Sequence, residues 1–129
     1  MVSFYYRKEE YMEPKEFDIE FPRGDTCALE FTLVDAKKTP IVLGEGDELY
    51  FTVKKNFNTN EAIFQKKYTS NQIVQSDGKY TLTLETEDTN RLSYGSYVYD
   101  ICLKSGSYRK TLCLGNIILT NESTFVGNE

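Results

Sequence analysis

The side chains that could do chemistry in this sequence are carboxylates, phenols and three thiols, because the chain contains no histidine. That removes the commonest general acid and base, the Ser-His and Cys-His nucleophile pairs, and most catalytic zinc sites. The acids gather at turn signals: Asp25, Asp47, Asp77, Glu87 and Asp88. A calcium ion wants six or more oxygens at one place, and no segment has the spaced Asp/Asn/Glu loop of such a site. Turn aspartates bonding their own backbone explain the pattern better. Paired carboxylates can hydrolyse glycosides, but only in a cleft, for which a chain of 129 residues has little material. The sequence therefore reads as a non-enzyme, with no catalytic residue, no metal site and no cofactor.

Tyrosine is the suggestive residue type, with ten copies. Tyr80, Tyr97 and Tyr99 fall on core parity. Tyr5, Tyr6, Tyr11, Tyr50, Tyr68, Tyr94 and Tyr108 fall in an N-terminal arm, in loops or at outward positions. Exposed tyrosine supplies contact area at small entropy cost, so it favours binding. Tryptophan, the usual sugar platform, is absent. Protein is thus the expected target, with Phe4, Tyr5, Tyr6 and Tyr11 of the arm as the binding residues. A carbohydrate surface built on Tyr94 and Tyr108 is the alternative.

The elements that would position these groups are strands. Phe17, Ile19 and Phe21 alternate with polar residues. So do Cys27, Leu29, Phe31 and Leu33; then Leu49, Phe51 and Val53; then Tyr80, Leu82 and Leu84; then Tyr97, Tyr99, Ile101 and Leu103. Period two marks half-buried strands. Pro22-Arg23-Gly24-Asp25, Gly44-Glu45-Gly46-Asp47, Asp77-Gly78 and Ser105-Gly106-Ser107 supply turns. Arg23-Gly24-Asp25 also spells a cell-attachment tripeptide, which is read here as a turn. A short strand over residues 62–68 carries Lys66 and Lys67, as suits a charged edge, and a weak one covers residues 72–75. Residues 87–92 break the alternation with a single helical turn, and a last strand runs from about Tyr108 to Thr120.

Seven or eight short strands and no long helix predict an all-β sandwich, with a small barrel as the alternative. Residues 1–15 read as the arm, 16–120 as the sandwich and 121–129 as a polar tail. Within Leu92-Ser93-Tyr94-Gly95-Ser96-Tyr97, Tyr97 is placed to close the preceding loop through its hydroxyl, as a tyrosine corner. Parity sets Cys27 inward and Cys102 outward, and register about Gly106 puts Cys102 opposite residues 109–111. Three free thiols follow.

Net charge is −5, which speaks against a nucleic-acid partner, and the basic pairs Lys54-Lys55 and Lys66-Lys67 form no stripe. No apolar run approaches the length that crosses a membrane. The first ten residues do not read as a signal peptide, so synthesis in the cytoplasm is expected and the sequon Asn121-Glu122-Ser123 carries no glycan.

One pattern runs along the chain as Phe17-x-Ile19-x-Phe21-x-Arg23-Gly24-Asp25-Thr26, Phe31-x-Leu33-x-Asp35 and Gly46-Asp47-x-Leu49-x-Phe51-x-Val53-Lys54-Lys55. It continues as Asp77-Gly78-Lys79-Tyr80 and Asp88-Thr89-x-x-Leu92-x-x-Gly95-x-Tyr97-x-Tyr99-Asp100-Ile101, ending with Thr111-Leu112 and Gly115. Over about residues 17–120 this resembles small Ig-like β-sandwich proteins of bacteriophages and prophages of Gram-positive bacteria, and is similar to the N-terminal domain of phage upper baseplate proteins. The resemblance implies an immunoglobulin-like antiparallel sandwich. It also implies a virion building block whose partners are itself, as a homo-oligomer, or other tail and baseplate proteins. It offers no catalytic residues to carry over.

Overall fold

The computed structural model describes residues 2–5, 15–34, 39, 42–70, 72–76 and 79–121, among which lie ten strands and one helical turn. The strands are β1 Val2–Tyr5, β2 Lys15–Glu16, β3 Ile19–Pro22, β4 Cys27–Val34, β5 Asp47–Lys54, β6 Phe64–Thr69, β7 Val74–Ser76, β8 Lys79–Leu84, β9 Gly95–Ser105 and β10 Tyr108–Thr120; α1 is Thr86–Thr89. They form two sheets, β1-β4-β8-β7 and β2-β10-β9-β5-β6, with β3 also paired to β10. The sheets share no ladder, so the fold is an all-β sandwich and not a closed barrel.

Eight of the strands, β3 to β10, answer to the strands expected from the sequence, five of them to its alternating runs. β1 and β2 are additional: Val2–Tyr5 pairs in parallel with Phe31–Val34, and Lys15–Glu16 pairs in parallel with Cys113–Leu114. The β3–β10 pair is parallel as well, while the remaining ladders are antiparallel. Parallel neighbours need a crossover. Here it is supplied by the chain passing between sheets, from β1 in one to β2 and β3 in the other and back to β4. Residues 6–14 and 122–129, most of the arm and tail segments, lie outside the described residues, as does the Asp77-Gly78 turn.

The core sits between the sheets. One side is Phe31, Leu33, Tyr80, Leu82 and Leu84; the other is Leu49, Phe51, Val53, Tyr99, Ile101, Leu103, Ile117 and Leu119, all buried. Ring pairs on each inner face stack, Phe31 on Tyr80 with centroids 5.5 Å apart and Phe51 on Tyr99 at 5.2 Å. Such pairs add about 0.5–1.5 kcal/mol beyond the area they bury. A register shift between Thr111 and Cys113 lets both Leu112 and Cys113 bury, which strict alternation would forbid.

Side-chain hydroxyls close the ends. Tyr97 donates to the Ser93 carbonyl at 2.8 Å, the loop closure expected of a tyrosine corner. The Pro22–Asp25 turn is pinned three ways. Gly24, at φ 84°, donates its N–H to Thr89 Oγ1; Arg23 donates to the Leu92 carbonyl; and its guanidinium lies 4.3 Å from the Tyr94 ring centre. The Arg-Gly-Asp arginine is thus engaged within the fold. On β6, Lys66 shares parity with buried Tyr68, reaching Asp88 of α1 at 2.7 Å and the Thr83 carbonyl at 3.3 Å. An inward-leaning charge on an edge strand discourages unwanted strand pairing.

β10 also takes a close backbone approach. The stretch between β2 and β3 crosses it at Gly115, where an added Cβ would sit 2.1 Å from the Phe17 carbonyl oxygen. That oxygen accepts the Tyr99 hydroxyl, which also touches Cys113 Sγ at 3.3 Å. Gly115→Ala is expected to destabilise by about 1–3 kcal/mol through overpacking. Tyr99→Phe is expected to cost about 1 kcal/mol. Because both act on the same carbonyl, urea unfolding of the double variant should give less than the sum.

Candidate functional site

The arm residues expected to bind divide. The backbones of Phe4 and Tyr5 pair with Leu33 and Val34 in the smaller sheet, while Tyr6 and Tyr11 lie outside the described residues. The other tyrosines do not converge either. Tyr94 is 48% exposed and holds Arg23, whereas Tyr108 is half-buried at the start of β10, opposite Ser105 at the far end of β9. Eleven residues of strand separate them, about 35 Å, so they make no joint sugar platform. Tyr68 corrects the sequence reading. It is buried, and its hydroxyl donates to the Thr83 carbonyl across the sandwich at 2.8 Å. The outward expectation failed because Lys66 and Lys67 mask which side of β6 is apolar. Nor do the lysine pairs meet. Lys66 and Lys67 lie opposite Phe51 and Tyr50, and Lys54 lies opposite Val98.

What the fold builds instead is a concavity of about 410 Å³ on the outer face of the larger sheet. It crosses four consecutive strands: Arg109 of β10; Asp100, Cys102 and Lys104 of β9; Tyr50, Thr52 and Lys54 of β5; and Gln65 of β6. Asn60 and Ala62 close the loop end. These residues face outward because their neighbours Leu49, Phe51, Val53, Tyr99, Ile101 and Leu103 face the core. The hollow follows from side-chain length. Thr52, Asp100 and Cys102 are short and lie at its centre, with Thr52 opposite Asp100 and Cys102 opposite Tyr50. Long side chains ring them.

Its polar order is partial. Gln65 Nε2 donates to Thr52 Oγ1 at 2.9 Å, and the Tyr50 hydroxyl reaches Glu48 Oε1 at 3.3 Å. Glu48 in turn pairs with Lys67 at 3.2 Å. Asp100 is half-buried. Burial pushes its carboxyl above the ordinary value, while the positive charges of Lys54 and Arg109 pull the other way. It is the single carboxylate among the lining residues, so the two-carboxylate chemistry of glycoside hydrolysis has no second group here. Among the described residues, no group of three His, Cys, Asp or Glu side chains could hold a metal ion.

The three cysteines are free, as parity requires. Cys113 is buried, Cys27 is half-buried at the rim of the core, and Cys102 lines the outer concavity opposite Thr111. Burial raises the thiol pKa of Cys27 and of Cys113. No helix among the described residues is long and apolar enough to cross a membrane.

No family model and no curated protein matches the chain. Among solved structures the fold is similar to the N-terminal domain of phage TP901-1 ORF48, with a TM-score of 0.53 at 12% identity over 93% of this chain and 96% of that one. At such low identity the likeness is one of fold.

The charge of Asp100 gives a signed expectation. Its folded-state proton affinity exceeds the unfolded one, so the native state binds more protons and this group's stabilising share is present at low pH and lost as pH rises through the folded value. Asp100→Asn should therefore stabilise the protein at pH 7, with a gain that shrinks as pH falls toward the ordinary carboxyl range. Thermal unfolding at pH 7 and pH 3 reads this directly; a gain that grows toward acid would contradict it.

Proposed function

We propose that the chain is a non-enzymatic structural module of a bacteriophage or prophage tail, of baseplate type, that works through contacts with other virion proteins. The observation carrying this reading is the match of nearly the whole fold to a phage domain, joined to the phage-like pattern of turns and core positions over residues 17–120. The chemistry agrees: a chain without histidine offers few catalytic pairs, while its outer sheet face offers broad polar area for contact. Immunoglobulin-like ancestry, a Gram-positive host and location in the virion belong to the same proposal.

Self-association through the tyrosine-bearing N-terminal segment is the form of contact the sequence favours. The pairing of Val2–Tyr5 with β4 of its own sheet supports this reading, since the same backbone chemistry joins strands of separate chains. Sugar binding has no matching support, since Tyr94 and Tyr108 lie apart.

Mass spectrometry of particles purified from the producing strain tests the proposal. The chain should band with intact tails at a fixed ratio to other tail proteins. Its recovery only in the soluble lysate, with particles complete without it, would overturn the proposal.

A further inference from the structure

Three cations rim the outer concavity, Lys54 at one end and Lys104 and Arg109 at the other. Lys104 lies opposite Glu48 in the β5–β9 register and Lys54 lies six residues further along β5, so the ends are about 20 Å apart along the strand. None of the three makes a salt bridge to a described residue, although the chain carries 20 acids against 15 bases. On an acidic chain, three cations without an ion pair to a described residue around one hollow are a local reversal of sign. Within it, Asp100 makes no direct hydrogen bond or ion pair with a described residue, leaving an excess of positive charge.

The loop at the Lys54 end adds apolar area. Asn56 Oδ1 accepts the Asn58 N–H and Thr59 Oγ1 accepts the Glu61 N–H, so the loop is braced by its own side chains. Phe57 stands 53% exposed and Ile63 38% exposed on it. A second hollow lies beside the first, lined by Lys55, Asn56, Thr59, Glu61 and Ile63 and sharing Ala62; its one base and one acid leave the positive excess to the first hollow.

We infer that this face is the docking site for an extended acidic segment of a partner protein, its carboxylates reaching Lys54, Lys104 and Arg109 and an apolar side chain meeting Phe57 and Ile63. The inference rests on the structural-module reading and adds the site and the chemistry of the partner. Charge complementarity selects the occupant. A basic segment would meet three like charges, and a second copy would have to bring its own acidic surface into a hollow of limited width. Arginine and lysine hold carboxylates by charge-assisted hydrogen bonds, and the short central side chains leave room for a backbone to lie between them.

The probe is an N-acetylated, C-amidated octapeptide of six glutamates with two leucines, against a lysine-for-glutamate control and inorganic phosphate. Cys102 is a built-in reporter, since it lines the hollow, while Cys27 on the other sheet is the internal control. The glutamate peptide should slow alkylation of Cys102 several-fold and leave Cys27 unchanged. Lys54→Gln combined with Arg109→Gln should weaken binding by roughly tenfold or more. Lys79→Gln on the smaller sheet should leave binding unaltered. Circular dichroism shows whether each variant folds, and charge-conserving Arg109→Lys should restore part of the affinity. Four results would overturn the inference: an unprotected Cys102, equal binding of the lysine peptide, full competition by millimolar phosphate, or Cys102 protection that appears with protein concentration alone and marks a second copy as the occupant. If the chain is found in particles but ignores the peptide, the docking site fails and the structural role stands; if it binds the peptide but is absent from particles, the converse holds.

Discussion

Strict alternation along β5 and β9 is the constraint from which the rest follows. These two strands lie at the middle of the larger sheet, paired over eight positions from Asp47 opposite Ser105 to Lys54 opposite Val98. Burying Leu49, Phe51 and Val53 against Tyr99, Ile101 and Leu103 leaves every intervening residue on the outside. The outer face is therefore dictated by the inner one. A one-residue slip would put Asp100 and Lys54 into the core and the stacked Phe51–Tyr99 pair into water. The same geometry that stabilises the domain displays Tyr50, Thr52, Lys54, Asp100, Cys102 and Lys104 together.

Much of this was legible in the sequence. The core runs, the turn at Gly106, the outward side of Cys102 and the loop closure by Tyr97 are local matters of period two and short-range bonding, and period survives in one dimension. Three features are not local. The strand pairing of Val2–Tyr5 and Lys15–Glu16 depends on which distant edge is open. The burial of Tyr68 depends on the Thr83 carbonyl of the opposite sheet and on the ion pair between Lys66 of the same strand and Asp88 of α1, which make a half-charged strand lean inward. The outer concavity needs residues of four strands in register, and no linear spacing announces that Arg109, Asp100, Thr52 and Gln65 will share a face. Even Gly115, part of the recurring pattern, showed its purpose only once Phe17 was seen to cross over it.

Edges and faces serve different ends in such a fold. The edge strand β6 is guarded by Lys66 turned toward Asp88 and by Lys67 paired with Glu48, which weakens any tendency to recruit a further strand there. The turn between β3 and β4 is held by Arg23, Thr89 and Tyr94. The outer face of β5 and β9 has no such cover among the described residues. The docking inference rests on this contrast, between ends and one edge that are tied down and one broad polar face left uncovered among the described residues.

A side-chain-resolution reconstruction of the tail particle to which the proposal assigns the chain tests this most directly. The account predicts density from a neighbouring protein lying over Thr52, Asp100 and Cys102, with acidic side chains at Lys54 and Arg109. The same face turned to bulk solvent in every copy, with neighbours attached elsewhere, would contradict it.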